Sequence, residues 1–358
     1  MSGAPREESL AEMKLDTIGE GECCGTCNTY NAPWAKETNE KGLVSVILVN
    51  HNGLKFFEGF FQSLFEQTYS PLEVLFFDNG STDDSVEYVK NFPSVEVFEL
   101  RQNMGFSVPN NLGIRRSRGQ YVLTLNLDVI LEKNFIEELV KAIELDPHIG
   151  WVAGKMLKLT PGGAKTEEID CLGHHFHRDR YAKETDYSRP FQWSYYSKQR
   201  YVFGASACAA LYKRAMLHDI AINGEYFDED FVSYWEDVDL DWRAQLMSWK
   251  CLYTPAAVGH HVRGGSGLYR RPEIAANYLA NHFLMLLKND ELMHLLQDMA
   301  PFMIRLQRDL ISFLKDNPRS IPLALKMILK KTPRTILKRR IIQRKRRVTS
   351  SYMRSLIR

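Results

Sequence analysis

The sequence predicts an α/β fold: a mostly parallel sheet with helices on both faces, followed by a helical C-terminal extension. Three observations predict it. Strand-like and helix-like stretches alternate from residue 43 to residue 131, each strand-like stretch ends in short polar side chains, and the apolar pattern beyond residue 269 is helical. Alternation of this kind gives parallel strands covered on both faces.

Residues 44–49, VSVILV, form an apolar, β-branched first strand, and Asn50-His51-Asn52-Gly53 is a polar break suited to a strand-to-helix turn. Residues 54–67 then place Phe57, Phe60, Phe61, Leu64 and Phe65 on one helical face. The second strand, 72–77, ends at Asp78-Asn79-Gly80-Ser81, and Ser81-Thr82-Asp83-Asp84 supplies capping residues for the next helix. A third strand at 95–100 leads through a loop at 103–111 to a short helix near Arg115. The fourth, 121–125, runs into the stretch LTLNLDVIL at 123–131, which carries Asn126 and Asp128.

The strand exits repeat one chemistry: Asn50 and His51, Asp78 and Asn79, Asn103, then Asn126 and Asp128. In open α/β sheets ligands sit beyond the carboxyl ends of the strands, so four such exits on one edge predict a crevice for a polar, phosphate-bearing ligand. A carboxylate there can hold a hard divalent cation that bridges phosphate oxygens. Asp128 is equally suited to cap the helix that follows. Both readings stand at this point.

The second half is less regular. Residues 159–200 are rich in His, Arg, Lys and Tyr, and contain His174, His175 and His177 with no evident carboxylate partner. That tract is expected to be a solvated loop. Residues 203–211 are small and apolar, as in a buried strand, and 226–242 read YFDEDFVSYWEDVDLDW. Val238, Trp242 and Leu246 have helical spacing, which sets Glu236 and Asp237 at a helix N-terminus, where capping alone would account for them. His260 and His261 precede Arg263 and a glycine-rich loop. Imidazole ligates divalent metals and such a loop admits phosphate; a structural His pair is the equal alternative.

Beyond residue 269, stretches 274–287 and 292–314 have long apolar faces, and 321–342 alternates apolar and basic groups across Pro322 and Pro333. Residues 1–41 have little core of their own. Their Cys23-Cys24-x-x-Cys27 cluster lacks a fourth metal ligand at plausible spacing and is read as surface thiols. The expected organisation is an N-terminal extension at 1–41, a catalytic α/β domain at 42–268 and a helical, basic region at 269–358.

With 358 residues and 44% hydrophobic content the chain can bury a sizeable core. The start has no apolar signal-peptide segment and cysteines are sparse, so a reducing, cytoplasmic location is expected. No apolar run reaches about 18 residues, so no bilayer-spanning helix is expected. The net charge of +2 hides an asymmetry: residues 319–358 hold 14 Lys and Arg and no acid, leaving 32 basic and 44 acidic residues before them. Such a tail can meet anionic lipid, meet nucleic acid or remain solvated. It is expected to be removable with the preceding domain still folded.

Six ordered motifs resemble the family 2 inverting nucleotide-sugar glycosyltransferases of the GT-A (Rossmann-like) fold, especially the bacterial rhamnosyltransferase-like members. They are SVILVNHN, FFDNGSTDDS, RQNMGFSVPNNLGI, LNLDV, FVSYWEDVDLDWR and HHVRGGS, and the resemblance covers residues 43 to about 289. The resemblance implies donor contacts from Val49, His51, Asp78, Asn103, Asn126 and Arg263, with Asp128 and His261 as ligands of Mg²⁺ or Mn²⁺ and His260 the alternative to His261. Asn126 stands where the family's DxD motif has its first acid. Asp237 matches the family's catalytic base, and Glu236 would orient the site or bind the acceptor.

The partners implied are a nucleoside-diphosphate sugar, rhamnosyl first, and a glycan or lipid-linked glycan acceptor. The basic C-terminus would lie on the anionic inner face of the cytoplasmic membrane. A sugar nucleotidyltransferase is the first rival, but the turn NHNGLKFF lacks the Gly-rich basic loop that would hold a triphosphate. An inactive nucleotide-sugar or glycan-binding module is the second, kept open by Asn126. Nucleic-acid binding by the tail comes third and would require a salt-sensitive affinity.

Overall fold

The computed structural model describes residues 39–160, 162–184, 196–262 and 271–358. The first four strands, β1 (Glu40–Asn50), β2 (Leu72–Asn79), β3 (Val95–Leu100) and β4 (Gly119–Leu125), are mutually parallel in the order β4-β1-β2-β3. Their apolar runs are continuous because both faces are covered: Val44, Val46 and Leu48 join one core cluster and Ile47 the other. Helix α1 (Phe57–Phe65) buries Phe57, Phe60, Phe61 and Leu64, while Phe65 stays half exposed and stacks on Phe61. Helices α2 (Ser85–Val89), α3 (Ser107–Arg116) and α4 (Phe135–Ile143) complete the layers around this half. On α3, a side chain at Gly113 would meet Ile47 at 2.6 Å, so its absence lets the helix lie directly on β1.

The second half turns the sheet mixed. Its strands are β5 (Val129–Leu131), β6 (Ile149–Leu159), β7 (Lys165–Cys171), β10 (Arg200–Val202), β11 (Ala209–Lys213) and β12 (Lys250–His261), with β8 (His174–Phe176) and β9 (Ala182–Glu184) forming a small separate ribbon. The order across the large sheet is β10-β12-β6-β11-β4-β1-β2-β3. Strand β11 runs antiparallel to both β4 and β6, and is the seam between the halves. The parallel arrangement expected from the alternation therefore holds for residues 40–125, and the later strands add antiparallel pairs.

Two expectations for this half are corrected. Residues 159–200 are not a solvated loop where described: they supply β7, β8 and β9, and Asp170, His174 and His175 are buried. The predicted strand at 203–211 starts only at Ala209, because residues 203–208 wrap irregularly around buried side chains of α6 (Glu236–Leu246). The strand is followed by α5 (Arg214–Ile220).

The C-terminal helices are α7 (Pro272–Asn289), α8 (Leu292–Gln297), α9 (Met299–Asp316), α10 (Ser320–Lys345) and α11 (Ser350–Ser355). Helix α10 lies along α7, and Leu284, Phe302, Ile342, Met353 and Ile357 join the main hydrophobic core. Here the charge asymmetry finds its structural counterpart. The Lys338 ammonium is buried and bonds Glu225 at 2.8 Å, Asp230 at 2.8 Å and Asp228. Arg334 pairs with Glu225 and Asp230, Arg347 with Asp219, and Arg354 with Asp298. At the last residues, Ile357 bridges Phe176 of β8, and Arg178 N–H donates to the Arg358 carbonyl at 2.9 Å. The expectation that residues 319–358 are separable is overturned: their removal leaves buried carboxylates without counter-charges, which is strongly unfavourable. Among the described residues no helix is long and apolar enough to cross a membrane.

Candidate active site

The parallel register aligns the polar strand exits. Asn50 stands opposite Asp78, and Asn79 opposite Leu100, so the side chains singled out in the sequence meet along one edge. Asn50 Nδ2 donates to Asp78 Oδ1 at 2.9 Å, and Ser81 N–H to Asp78 Oδ2 at 2.9 Å. The Nδ1 of His51 lies 3.1 Å from the Asn79 carbonyl, while Val49 is half-buried one residue inside the edge. Asn79 braces the next loop: its amide donates to Asn103 Oδ1 and to the Gly105 carbonyl, and its Oδ1 accepts from Met104 N–H. Beside Asp78 opens a cavity of about 400 Å³, lined also by Ser81, Thr82, Glu99 and Arg101. Its polar walls suit a hydrated or hydrogen-bonding ligand.

A second group gathers where β5 meets β12. Directly after Asp128, β5 pairs antiparallel with the end of β12, setting His261 opposite Val129, and Val262 N–H donates to the Asp128 carbonyl at 2.9 Å. His261 Nε2 consequently lies 3.3 Å from Asp128 Oδ1. Its Nδ1 lies 2.9 Å from Oδ2 of Asp170, a buried residue that β7 delivers through its pairing with β6. Burial opposes a charge on His261, but its hydrogen bonds to the Asp128 and Asp170 carboxylates, with their charges, outweigh it and raise the imidazole to about 9. Neighbouring residues of a strand face opposite ways, and His260 turns instead to Glu132, at 3.2 Å, with its own basicity lowered by burial.

These donors fit a divalent cation. One carboxylate oxygen and one imidazole nitrogen converge, and a buried carboxylate orients the imidazole, as metal-bound histidines require. An oxygen–nitrogen set suits Mn²⁺ better than Mg²⁺, which takes oxygen ligands. Among the described residues no group of three or more His, Cys, Asp or Glu could hold a metal.

The third group lies at the start of α6. Asp237 Oδ2 accepts from Ala207 N–H at 3.3 Å and its Oδ1 from Val238 N–H at 2.8 Å. The adjacent Cys208 carbonyl accepts from Asn126 N–H at 2.8 Å, and the Ala207 carbonyl from Thr124 Oγ1 at 2.8 Å. One two-residue segment thus joins the exit of β4 to the first turn of α6. Glu236 is buried beside Asp237, and its Oε2 has no hydrogen-bond partner among the described residues. Burial first, then the Asp237 charge, push its carboxyl well above the usual range.

The backbone entering α6 is strained. Tyr234 and Trp235 both have φ of 70°, a left-handed conformation that costs a bulky residue about 1–3 kcal/mol. The hydrogen bonds of Asn281 Nδ2 to the carbonyls of Ser233 and Tyr234, and the stacking of Trp235 on His282, hold it in place. Val232 of the same loop accepts from Phe106 N–H at 2.6 Å, and Gly105 must lack a side chain because its Cβ would fall 2.2 Å from that carbonyl. The loop carrying Asn103 and the loop carrying Asp237 therefore touch.

Behind Asp237 stand Asp241, which the sequence reading did not single out, and His174, which it read as solvated and without a carboxylate partner. Asp241, fully buried one turn further along α6, lies 2.8 Å from Nδ1 of His174, whose Nε2 lies 3.9 Å from Asp237. Gly204 admits Asp241, since a Cβ there would come within 1.7 Å of the carboxylate. The four-residue spacing of Asp237 and Asp241 was a visible sign that both face one way. His174 was visible only as part of a polar, His-rich tract, and no local signal marked Asp170. Arg263, expected at the donor, and Cys23, Cys24 and Cys27 lie outside the described residues.

Comparison with known proteins places this architecture. The fold resembles that of the solved structure of GalNAc-T7 with UDP, GalNAc and Mn²⁺, with a TM-score of 0.55 and 16% identity over 68% of this chain and 47% of that one. It is the GT-A glycosyltransferase fold. Residues 45–220 match the family described as Glycosyl transferase family 2. Over that segment the chain is similar to family 2 glycosyltransferases. An uncharacterized glycosyltransferase, YibD, of Escherichia coli is 36% identical over 94 residues, 25% of this chain and 27% of that protein. The N-acetylglucosaminyl-diphospho-decaprenol L-rhamnosyltransferase of Mycobacterium tuberculosis is 24% identical over 262 residues, 68% of this chain and 84% of that protein. The chain spans about a third of the length of the first curated relatives it matches.

Proposed function

We propose that the protein is a metal-dependent, inverting glycosyltransferase. It would move a sugar, rhamnose being the first candidate, from a nucleoside-diphosphate sugar to a hydroxyl of a growing surface glycan or lipid-linked acceptor. The observation that carries this reading is the joint at Ala207 and Cys208, which binds the Asn126–Asp128 exit and Asp237 to one short segment. A reaction centre held between these groups would have a diphosphate on one side and a carboxylate base on the other. The rhamnosyl candidate is supported by the mycobacterial relative, and the nucleotide and Mn²⁺ by the GalNAc-T7 complex.

In this mechanism Val49, His51, Asp78 and Asn103 receive the nucleoside, and Asn126 with Arg263 receives the diphosphate. Asp128 and His261 would hold the metal, with Asp170 fixing the imidazole, and the cation when bound neutralises charge on the departing diphosphate. Asp237 accepts the acceptor hydroxyl's proton as that oxygen attacks the anomeric carbon. A single displacement inverts the centre and needs no nucleophile from the protein. Glu236, kept neutral by burial beside Asp237, can donate a hydrogen bond to the acceptor.

We assign residues 42–268 to the catalytic domain, 269–358 to a basic helical region docked on it and 1–41 to an extension. The outer side of α10 exposes Leu325, Leu329 and Leu337 beside the exposed Lys326, Lys330 and Arg340. Apolar burial with basic charge suits an anionic bilayer, so peripheral attachment at the cytoplasmic face is part of the reading. A panel of nucleoside diphosphates and their sugars, each with and without Mn²⁺ or Mg²⁺, tests it by thermal stabilisation. A metal-dependent rise with one nucleotide and turnover of its sugar supports the transferase. Binding without turnover supports the inactive module, and stabilisation by a nucleoside triphosphate with sugar phosphate supports the nucleotidyltransferase.

A further inference from the structure

A carboxylate that takes a proton from a sugar hydroxyl has a difficulty. Its ordinary pKa is about 3.9, so at neutral pH it holds a proton poorly. A second acceptor behind it would ease the transfer. Such a group stands behind Asp237, and the reading that follows rests on Asp237 being the base.

His174 is buried in β8 and locked by its backbone: its N–H donates to the Gly204 carbonyl at 2.7 Å, and Phe203 N–H donates to its carbonyl at 3.0 Å. Its ring lies between two carboxylates of α6. The Nδ1 is 2.8 Å from Asp241 Oδ2 and the Nε2 is 3.9 Å from Asp237 Oδ2. Asp241 is itself fixed, because its Oδ1 accepts from Ala205 N–H at 3.2 Å. With Nδ1–H given to Asp241, Nε2 is the nitrogen turned toward the base.

We propose that His174, oriented by Asp241, is a positioning residue for Asp237 that shares the proton released by the acceptor hydroxyl. The acceptor O–H bond breaks as the oxygen–anomeric carbon bond forms, and the carbon–phosphate oxygen bond breaks with its electron pair leaving on the diphosphate. The proton passes to Asp237 and on to His174 Nε2. The imidazolium then lies between two carboxylates and returns the proton to solvent after release. A separation of 3.9 Å is spanned by one water or by closure on substrate, since catalytic hydrogen bonds are often long without ligand.

The surroundings fit this role. Burial pushes the Asp241 carboxyl up to about 7 against the pull of His174, and the contact at 2.8 Å keeps the imidazole oriented. The other titratable groups close by are Tyr212 of β11 and Cys251 of β12, both neutral and both within reach of the Asp241 charge, Glu236 beside Asp237, and His175 of β8, which burial keeps neutral. The charges of Arg358 and Arg200 add to burial in keeping His175 neutral. A purely structural His–Asp tie between β8 and α6 would need only the Nδ1 contact.

Histidine-resolved NMR pH titration of the full chain separates the two. His174→Asn, whose amide can keep the bond to Asp241, assigns the signal; Asp241→Asn does so if that variant does not fold. The expected result is that Asp237→Asn lowers the apparent pKa of His174 by about one unit. An unmoved titration overturns the proposal, whatever the activity. The second readout is turnover of UDP- and TDP-sugars: His174→Asn should lower kcat about 10- to 100-fold with donor KM within twofold, and move the acid limb of kcat to lower pH. A lowered kcat with an unmoved limb assigns His174 a structural role and also overturns the proposal. Full turnover by Asp237→Asn would instead sink the base assignment, a separate outcome.

Discussion

Asp170 Oδ2 sits 2.9 Å from Nδ1 of His261, fully buried, on a strand that touches neither the Asp128 turn nor the glycine-rich loop in sequence. Its contact fixes which imidazole nitrogen faces Asp128.

Replacing Asp170 by Asn should weaken metal affinity about 10- to 100-fold while leaving metal-free nucleotide binding in place. Calorimetric titration with Mn²⁺ in the presence of nucleoside diphosphate measures it. Equal affinity in the two proteins would remove Asp170 from the metal argument.

Asp237→Asn should cut transfer by at least 10²- to 10⁴-fold, the usual share of general base catalysis. Nucleotide affinity should change little, because Asp237 contacts Ala207 and Val238 rather than the Asp78 or Asp128 groups. Parallel loss of binding and turnover would refute the role.

Lys338→Met leaves Glu225, Asp228 and Asp230 short of a counter-charge in a buried site, and about 3–5 kcal/mol of stability should be lost. Denaturant unfolding reports it directly. The same argument predicts that a chain cut at residue 318 does not fold stably.

Leu325→Glu with Leu329→Glu should abolish binding to vesicles containing anionic lipid without changing the melting temperature, since both side chains are exposed. Co-sedimentation gives the answer. Unchanged binding would take this face of α10 out of the membrane reading.

Asp298 offers an acid-range test. Hydrogen bonds from Arg354 and Arg180 hold its carboxyl down at about 2, below its ordinary 3.8. A depressed folded-state pKa stabilises above the unfolded value, and that stability is lost as pH falls from about 4 toward 2. Arg354→Met should flatten the fall in melting temperature across this window.

Much of this was written locally in the chain. The parallel half was legible because strands buried on both faces read as continuous apolar runs, and the helix pattern of Phe57, Phe60, Phe61 and Leu64 is periodic. Asp78, Asp128 and Asp237 stood out because they end strands or start a helix. The residues behind them did not. Asp170 and His174 lie in a tract whose polar composition resembles a loop, and their burial comes from β6, Gly204 and α6, none of which is near in sequence. The basic tail misled for a related reason: its charges look solvated until the acids of residues 219–230 and 291–298 are seen opposite them.

The missing side chain at Gly204 has a consequence for descent as well as for packing. Because Asp241 fills the space a Cβ would take, the two positions are not free to vary alone. A lineage could gain a side chain at 204 only after the carboxylate at 241 had been lost or shortened. Across homologues, a non-glycine at the first position should therefore coincide with a smaller residue at the second.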